Sequence, residues 1–150
     1  MLSPLISKTN IKGSLKKYFI DNVGDTEGIP VTFDGTIDEP PREGANRWLI
    51  IDIGPLHISG LSSFMIKATV CTQEDNEGIV LASTYDAVMK YLLNDDKAVS
   101  QDKKRVPLYE VPGWERIGTL MVDDVDDSGE QSISDLTKYQ VLMINLKFFV

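Results

Sequence analysis

The chain has 150 residues, 23 of them acidic and 15 basic, and a formal net charge of −8 at pH 7. This acidity argues against sequence-specific nucleic-acid binding, because such binding depends on Lys and Arg neutralising phosphates. Hydrophobic residues make up 42% of the chain, an ordinary value for a globular protein, and the length of 150 residues predicts a single domain over residues 1–150. No apolar run approaches the roughly 20 residues of a membrane helix, so no membrane partner is expected.

The first residues and the cysteine content indicate the cellular compartment in which the protein is expected to fold. The N-terminus lacks the charged start and apolar core of a signal peptide. Cys71 is the single cysteine and has no partner for an internal disulfide, which is typical of a reducing cytoplasm. Because Cys71 lies in a strand-like stretch, we expect it to serve as a small apolar residue.

The first predicted element is a helix over residues 3–22. Ser3 suits its N-cap and Pro4 its first turn, where no backbone N–H donor is needed. Gly13 inside the helix costs about 1 kcal/mol relative to Ala, which predicts a short or kinked helix. Its apolar stripe at three- and four-residue spacing consists of Ile11, Leu15, Tyr18 and Phe19.

Strands are predicted within residues 29–72 and again within residues 106–150. Trp48–Ile53 and Phe64–Thr72 are the clearest early strands, and we expect them to pair as an antiparallel hairpin. Between the two strand regions, a broad apolar face predicts a second helix over about residues 79–94. The order helix, strands, helix, strands predicts an α+β fold, with a mixed or mainly antiparallel sheet packed against two helices.

The last predicted strand covers Tyr139–Val150. Its residues alternate between an apolar face and a second face, which is the period of a half-buried strand. The apolar face consists of Leu142, Ile144, Leu146 and Phe148.

Residues 123–135 are the most acidic part of the chain and are predicted to form a flexible hairpin loop. The segment also partly matches a calcium-binding loop, with Gly129 at the sixth position. The twelfth position is not the usual bidentate Glu, and both flanks have the pattern of strands. We therefore assign no metal, and a calcium-responsive binding module stays an alternative. Its oxygen ligands would come from Asp124, Asp126, Ser128 and Asp135.

Residue types suited to catalysis are sparse. His57 is the single histidine, so any mechanism that needs an imidazole depends on it. The sequence has no Gly-x-Ser-x-Gly elbow, no phosphate-binding glycine loop before a helix, and no Cys/His set for zinc. We expect no enzymatic activity and no cofactor.

Two tryptophans are candidates for either burial or subunit contact. Trp48 and Trp114 each begin an apolar strand run, which favours burial of the ring against the helices. The alternative is that they anchor a subunit interface, where large aromatic residues are enriched.

The order of elements resembles the tail-terminator, or tail-completion, proteins of long-tailed bacteriophages. The resemblance covers most of the chain, although residues 123–135 have no counterpart in that family. It rests on the N-terminal helix, Ile29–Phe33 before a loop at Pro40-Pro41, a Trp-led strand at Trp48–Ile51, the alternating strand Phe64–Thr72, the helix around Tyr85–Leu93 and the long closing strand.

The resemblance implies a structural virion protein that forms a homo-hexameric ring, ends tail-tube polymerisation and joins the tail to the head. The implied partners are further copies of the chain, the tail-tube protein and a head-completion or connector protein. The implied location is the tail or neck of the virion, after assembly in the host cytoplasm. Another structural subunit of the neck or tail is the alternative. Candidate interface residues are Arg42, Trp48, Trp114, Asp123, Asp127 and Phe149. Acidic residues lining a central channel would repel passing DNA.

Overall fold

A computed structural model describes residues 7–34, 41, 45–53, 63–75, 77–93, 104–133 and 137–149. Within these ranges the chain forms one mixed sheet of six strands, curled into a half-barrel, together with two α-helices. The predicted α+β fold is confirmed.

The helices and strands follow one another along the chain in the predicted order of helix, strands, helix, strands. In chain order they are α1 (Lys8–Phe19), a π-helix that continues it (Ile20–Thr26), β1 (Val31–Phe33), β2 (Arg47–Asp52), β3 (Ser63–Thr72), α2 (Ile79–Met89), β4 (Arg105–Glu110), β5 (Glu115–Ser132) and β6 (Lys138–Phe149). The strand order in the sheet is β1-β2-β3-β6-β5-β4. β1 is parallel to β2, and the remaining neighbours are antiparallel, including the predicted β2–β3 pair.

The observed start and end of the first helix differ from the prediction. Ser7 is the N-cap, and its hydroxyl accepts a hydrogen bond from the Asn10 N–H at 3.1 Å, which satisfies a donor left free at the helix start. The predicted cap, Ser3, lies outside the described residues. The helix runs past residue 22 to Thr26 as a π-helix, where the side chains of Asn22 and Thr26 donate to backbone carbonyls.

One cluster of buried side chains joins the helices to one face of the sheet. Its members alternate along β6 as predicted, and follow three- and four-residue spacing along α1. The members from these elements and from β3 are Ile11, Leu15 and Phe19, then Ile66, Ala68 and Val70, and finally Leu142, Ile144 and Leu146. The same two periods that were visible in the sequence therefore define the core.

The opposite face of the sheet holds a smaller buried cluster. Trp48, Ile50 and Cys71 are buried there, and Tyr139 packs against them. Leu49 alternates to the main core, so Trp48 lies on the face away from it, and the expectation that its ring packs on the helices is wrong. Burial raises the pKa of the Cys71 thiol to about 12, which keeps the thiol protonated.

Residues 123–132 are strand and not the predicted loop. They form the second half of β5, which pairs with β6 from Thr119↔Phe149 to Ser132↔Lys138. Two register shifts, between Val122 and Asp124 and between Asp127 and Glu130, interrupt the pairing. Asp is depleted in strands, so local propensity predicted a loop, whereas pairing with the strongly patterned β6 determines the observed conformation.

The N-terminus of α2 is held by a buried carboxylate. Asp75 is 3% exposed and accepts hydrogen bonds from the N–H of Val80 at 3.2 Å and of Leu81 at 2.8 Å, and from the Thr72 hydroxyl at 3.0 Å. Burial alone would raise the pKa of Asp75, but these hydrogen bonds outweigh burial and lower it. Asp75 thus supplies the acceptor that the helix start requires.

Polar contacts join the first helix to the end of the second. The Tyr18 hydroxyl donates to the Tyr91 carbonyl at 2.6 Å, and burial raises the pKa of Tyr18 to about 12. The Glu27 carboxylate accepts from Lys90 Nζ and from the Tyr91 hydroxyl, each at 2.9 Å. These contacts fix α1 and the π-helix that continues it relative to the end of α2.

We expect removal of the Asp75 carboxylate to destabilise the fold in a pH-dependent manner. At pH 7, Asp75→Ala should lower the free energy of unfolding by about 2 kcal/mol, because the first N–H groups of α2 lose their acceptor. Asp75→Asn keeps the shape without the charge and should cost about 1 kcal/mol. Both values can be measured by urea unfolding.

The pH dependence follows from the lowered pKa. The contribution of Asp75 is fully present above the ordinary value of 3.8 and is lost as pH falls through the lower folded-state pKa. The stability difference between the natural chain and Asp75→Asn should therefore be constant from about pH 5 to 7 and shrink below about pH 4. A difference that persists at low pH would contradict this assignment.

Candidate interaction surface

Side chains of α1 accept hydrogen bonds from backbone N–H groups at the outer edge of the sheet. β4 is the last strand of the sheet that the described residues form, so some of its N–H groups have no neighbouring strand in these ranges to bond to. Ser14 Oγ accepts from the Tyr109 N–H at 2.8 Å, and Asn10 Oδ1 accepts from the Val111 N–H at 3.0 Å. Ser14 and Asn10 are one helical turn apart and both are buried. The helix therefore covers the edge that another strand would otherwise pair with.

Gly13 permits this close approach of α1 to the turn after β4. A Cβ atom at this position would lie 2.6 Å from Val111 Cγ2 and 3.7 Å from the Trp114 ring. The glycine that weakens the helix in isolation is thus required by a contact with a residue distant in the sequence.

The turn between β4 and β5 presents an aromatic ring to solvent. Trp114 has φ +58°, a left-handed conformation that costs a bulky residue about 1–2 kcal/mol. Its N–H donates to the Glu110 carbonyl at 2.6 Å, which closes the turn. The Trp114 side chain is 45% exposed, so the expectation that it is buried is wrong. The turn holds the ring at the surface because Trp114 precedes the first residue of β5 and does not share the alternation of the strand.

The exposed ring forms one wall of an open groove of about 690 Å³, which we call the Trp114 groove. Ile20, which is 42% exposed, adds a second apolar wall. The lining residues are Gly13, Lys16, Lys17, Ile20, Asp21, Val111 and Trp114. A second pocket of about 330 Å³ adjoins the groove and shares Lys17 and Asp21 with it. An apolar groove with a charged rim has the composition of a binding surface.

Cationic side chains border the Trp114 groove. Lys17 Nζ lies 2.7 Å from Asp21 Oδ2, and the hydrogen bond and charge of Asp21 raise the pKa of Lys17. The same Nζ is 5.9 Å from the centre of the Trp114 ring and 6.0 Å from that of Tyr109, within the range of cation–π attraction. α1 contains four lysines and no carboxylate in its 12 residues.

The acidic half of β5 lies at the opposite end of that strand. Asp124 accepts a hydrogen bond from the Asn145 side chain, and Asp127 accepts from Gln140 Nε2 at 2.6 Å and from the Gly129 N–H at 2.7 Å. Burial acts to raise the pKa of Asp127, but hydrogen bonds from Gln140, Gly129 and the Tyr85 hydroxyl lower it. The Asp127 carboxylate is therefore favoured in its ionised form by its hydrogen bonds on an ordered strand.

This arrangement does not have the form of a calcium loop. Asp124 and Asp126 occupy alternate positions of an extended strand, opposite Asn145 and Met143, so they do not curl around one point. Ser128 Oγ accepts from the Val141 N–H at 3.1 Å. Asp135 lies outside the described residues. Within the described ranges there is no group of three or more His, Cys, Asp or Glu side chains that could hold a metal ion.

The other candidate residues are widely separated. Trp48 is fully buried and is not an exposed anchor. Asp123 Oδ2 lies 3.3 Å from Lys147 Nζ, on the acidic half of β5. Phe149 is the last residue of β6, and its side chain is not among those described. Arg42 and His57 lie outside the described residues.

The groove contains residues that the sequence did not single out for binding. Lys16, Lys17, Ile20 and Val111 come together because α1 packs on β4, a contact between distant segments. One signal was available in the sequence, since four lysines without a carboxylate are unusual in a chain of net charge −8.

Comparison with known proteins adds a fold but no family. No protein-family model matches the chain, and no curated protein matches it significantly. A solved structure identified only by a sequence number superimposes with a TM-score of 0.63, covering 97% of each chain at 11% identity. At that identity the similarity shows the fold alone. None of the described helices has the length and apolar character needed to cross a membrane.

We expect Gly13→Ala to test the contact between α1 and the turn. In the natural chain it should lower the free energy of unfolding by about 1 kcal/mol, because the clash with Val111 outweighs the better helix propensity of Ala. In a Val111→Ala background the same substitution should raise it by about 1 kcal/mol, since the clashing methyl is absent. Denaturant unfolding of the four chains measures both. Equal stabilisation in both backgrounds would contradict the contact.

Proposed function

We propose that this chain is the tail terminator of a long-tailed bacteriophage, a structural subunit whose copies form a ring that caps the tail tube and joins the tail to the head. The order of elements supports this proposal: a helix, the strands β1 to β3, a second helix and the long closing strand β6 follow one another along the chain. This is the order on which the resemblance to that family rests.

The observation that carries the proposal is the Trp114 groove. Trp114 is a bulky residue in a strained left-handed conformation, and nearly half of its surface is in water although its ring contacts Tyr109 and Lys17. Exposed aromatic rings next to apolar side chains are typical of the centres of protein interfaces. In a self-assembling protein, a neighbouring subunit would cover this surface and bury the exposed ring in an interface.

The proposed role requires no chemistry from the site. A terminator recognises the end of a tube by shape and by contacts between subunits, and its copies must meet through complementary surfaces. The exposed carboxylates of β5 would repel DNA if they faced a central channel. They also keep the net charge far from zero, which supports solubility before assembly.

The direct test adds the purified chain to the tail-tube protein of the same virus during tube polymerisation. We expect closed rings of about six subunits at tube ends in negative-stain images, with shorter tubes as more of the chain is added. Labelling along the tube wall, or no effect on tube length, would overturn the proposal and favour a different neck or tail subunit.

A variant at the groove sharpens this test. Trp114→Gly removes the ring and suits the left-handed backbone, so the fold should be kept while capping and ring formation are lost. Met65→Ser, which changes an exposed apolar residue on β3, is the matched control and should still cap tubes. Full capping by a folded Trp114→Gly variant would remove the groove from the proposed assembly surface.

A further inference from the structure

Two surfaces of opposite charge lie at the two ends of β5. At one end, the Trp114 groove adjoins α1, with its four lysines and no carboxylate. At the other end, residues 123–132 contain five carboxylates and no cationic side chain. Two of these carboxylates lie beside lysines of β6, Asp123 at 3.3 Å from Lys147 and Glu130 at 4.0 Å from Lys138, which leaves Asp124, Asp126 and Asp127 as the excess negative charge. The chain as a whole is acidic, so the lysine-rich helix is a local exception beside the groove.

We propose that the acidic second half of β5 of one copy, together with Ile133, docks on α1 and the Trp114 groove of the next copy. Ile133 would enter the groove between Ile20 and Trp114, while the β5 carboxylates lie along α1. This inference rests on the proposed function, because it describes the head-to-tail contact that closes the ring.

The two surfaces are placed to meet only between molecules. β5 has 18 residues, so its ends are separated by roughly 50 Å of extended chain. Near the hairpin end, the Glu130 carboxylate comes close to Gly78 at the start of α2, whereas the groove lies against Gly13 of α1. Two different surfaces on one subunit that complement each other generate a ring when the rotation between copies closes.

Exposed apolar side chains are present on both surfaces of the proposed contact. Ile133 follows the last residue of β5 and is 54% exposed. Ile20 and Trp114 are similarly exposed in the groove. Docking would remove all three side chains from water, which is the dominant favourable term in association.

The charged parts follow regular spacings on both surfaces. Lys8, Lys12 and Lys16 are exposed and recur every four residues, so they form a row along one side of α1. Asp124 and Asp126 are exposed and two residues apart, so they share one face of β5. A row of each sign favours correct encounter and disfavours the pairing of like surfaces.

Site-directed cross-linking tests the contact. Ile133→Cys and Ile20→Cys change exposed residues, and the natural Cys71 is buried and does not compete. Mixing the two single variants under mild oxidation should give a cross-linked dimer, whereas neither variant should cross-link alone. A chain carrying both changes should give a ladder that ends at the closed ring.

The outcomes separate this inference from the proposed function. Rings on tube ends without the mixed cross-link would overturn the docking contact and leave the terminator role intact. Absence of assembly, both in solution and on tube ends, would overturn both. A cross-link in assemblies that do not cap tubes would support the contact and overturn the function.

Charge reversal provides a second, independent test. Lys8→Glu with Lys12→Glu, or Asp124→Lys with Asp126→Lys, should each weaken assembly roughly 10- to 100-fold. The chain carrying all four changes restores opposite charges across each contact and should recover assembly to within a few-fold. Asp25→Lys with Asp86→Lys alters the charge equally at exposed sites elsewhere and should have little effect. Failure of the four-change chain to recover, while it remains folded, would overturn the proposal.

Discussion

The pairing of β5 with β6 is the interaction on which the rest of the structure depends. β6 supplies a strict alternation of buried side chains, and it pairs on one side with β3 and on the other with β5. This ladder holds an acidic segment that has little strand propensity of its own in an extended conformation. Without it, the acidic residues would be a loop, and the two charged surfaces would have no defined separation.

The same ladder determines what is available for assembly. β5 continues past the end of β4, so its second half has β6 on one side and, among the residues that the structure describes, no strand on the other. At its first half, α1 covers the β4 edge through Asn10 and Ser14, which prevents unselective strand pairing there. The surfaces that stay exposed consist of side chains with a defined shape and charge. Such surfaces select one partner better than an open strand edge does.

The elements with strong periodicity could be predicted from the sequence. The alternation along β3 and β6 and the pairing of β2 with β3 follow from residues that are close in the chain or regularly patterned. The second half of β5 could not be predicted, because consecutive Asp residues hide the period and the pairing partner alone imposes the strand. The role of Gly13 and the exposure of Trp114 depend on a contact between residues about one hundred positions apart, which no local pattern encodes. The groove was missed for the same reason.

Amide hydrogen exchange along β5 tests the central claim most directly. Residues 119–121 lie between two strands, so their N–H groups should be protected almost without interruption. Residues 124–132 have a partner on one side, so protection should fall on alternate amides, with exchange there roughly 100-fold or more below loop rates. Alternating protection in 124–132 is the result that this account predicts. Uniformly fast exchange through those residues would show a loop and contradict it.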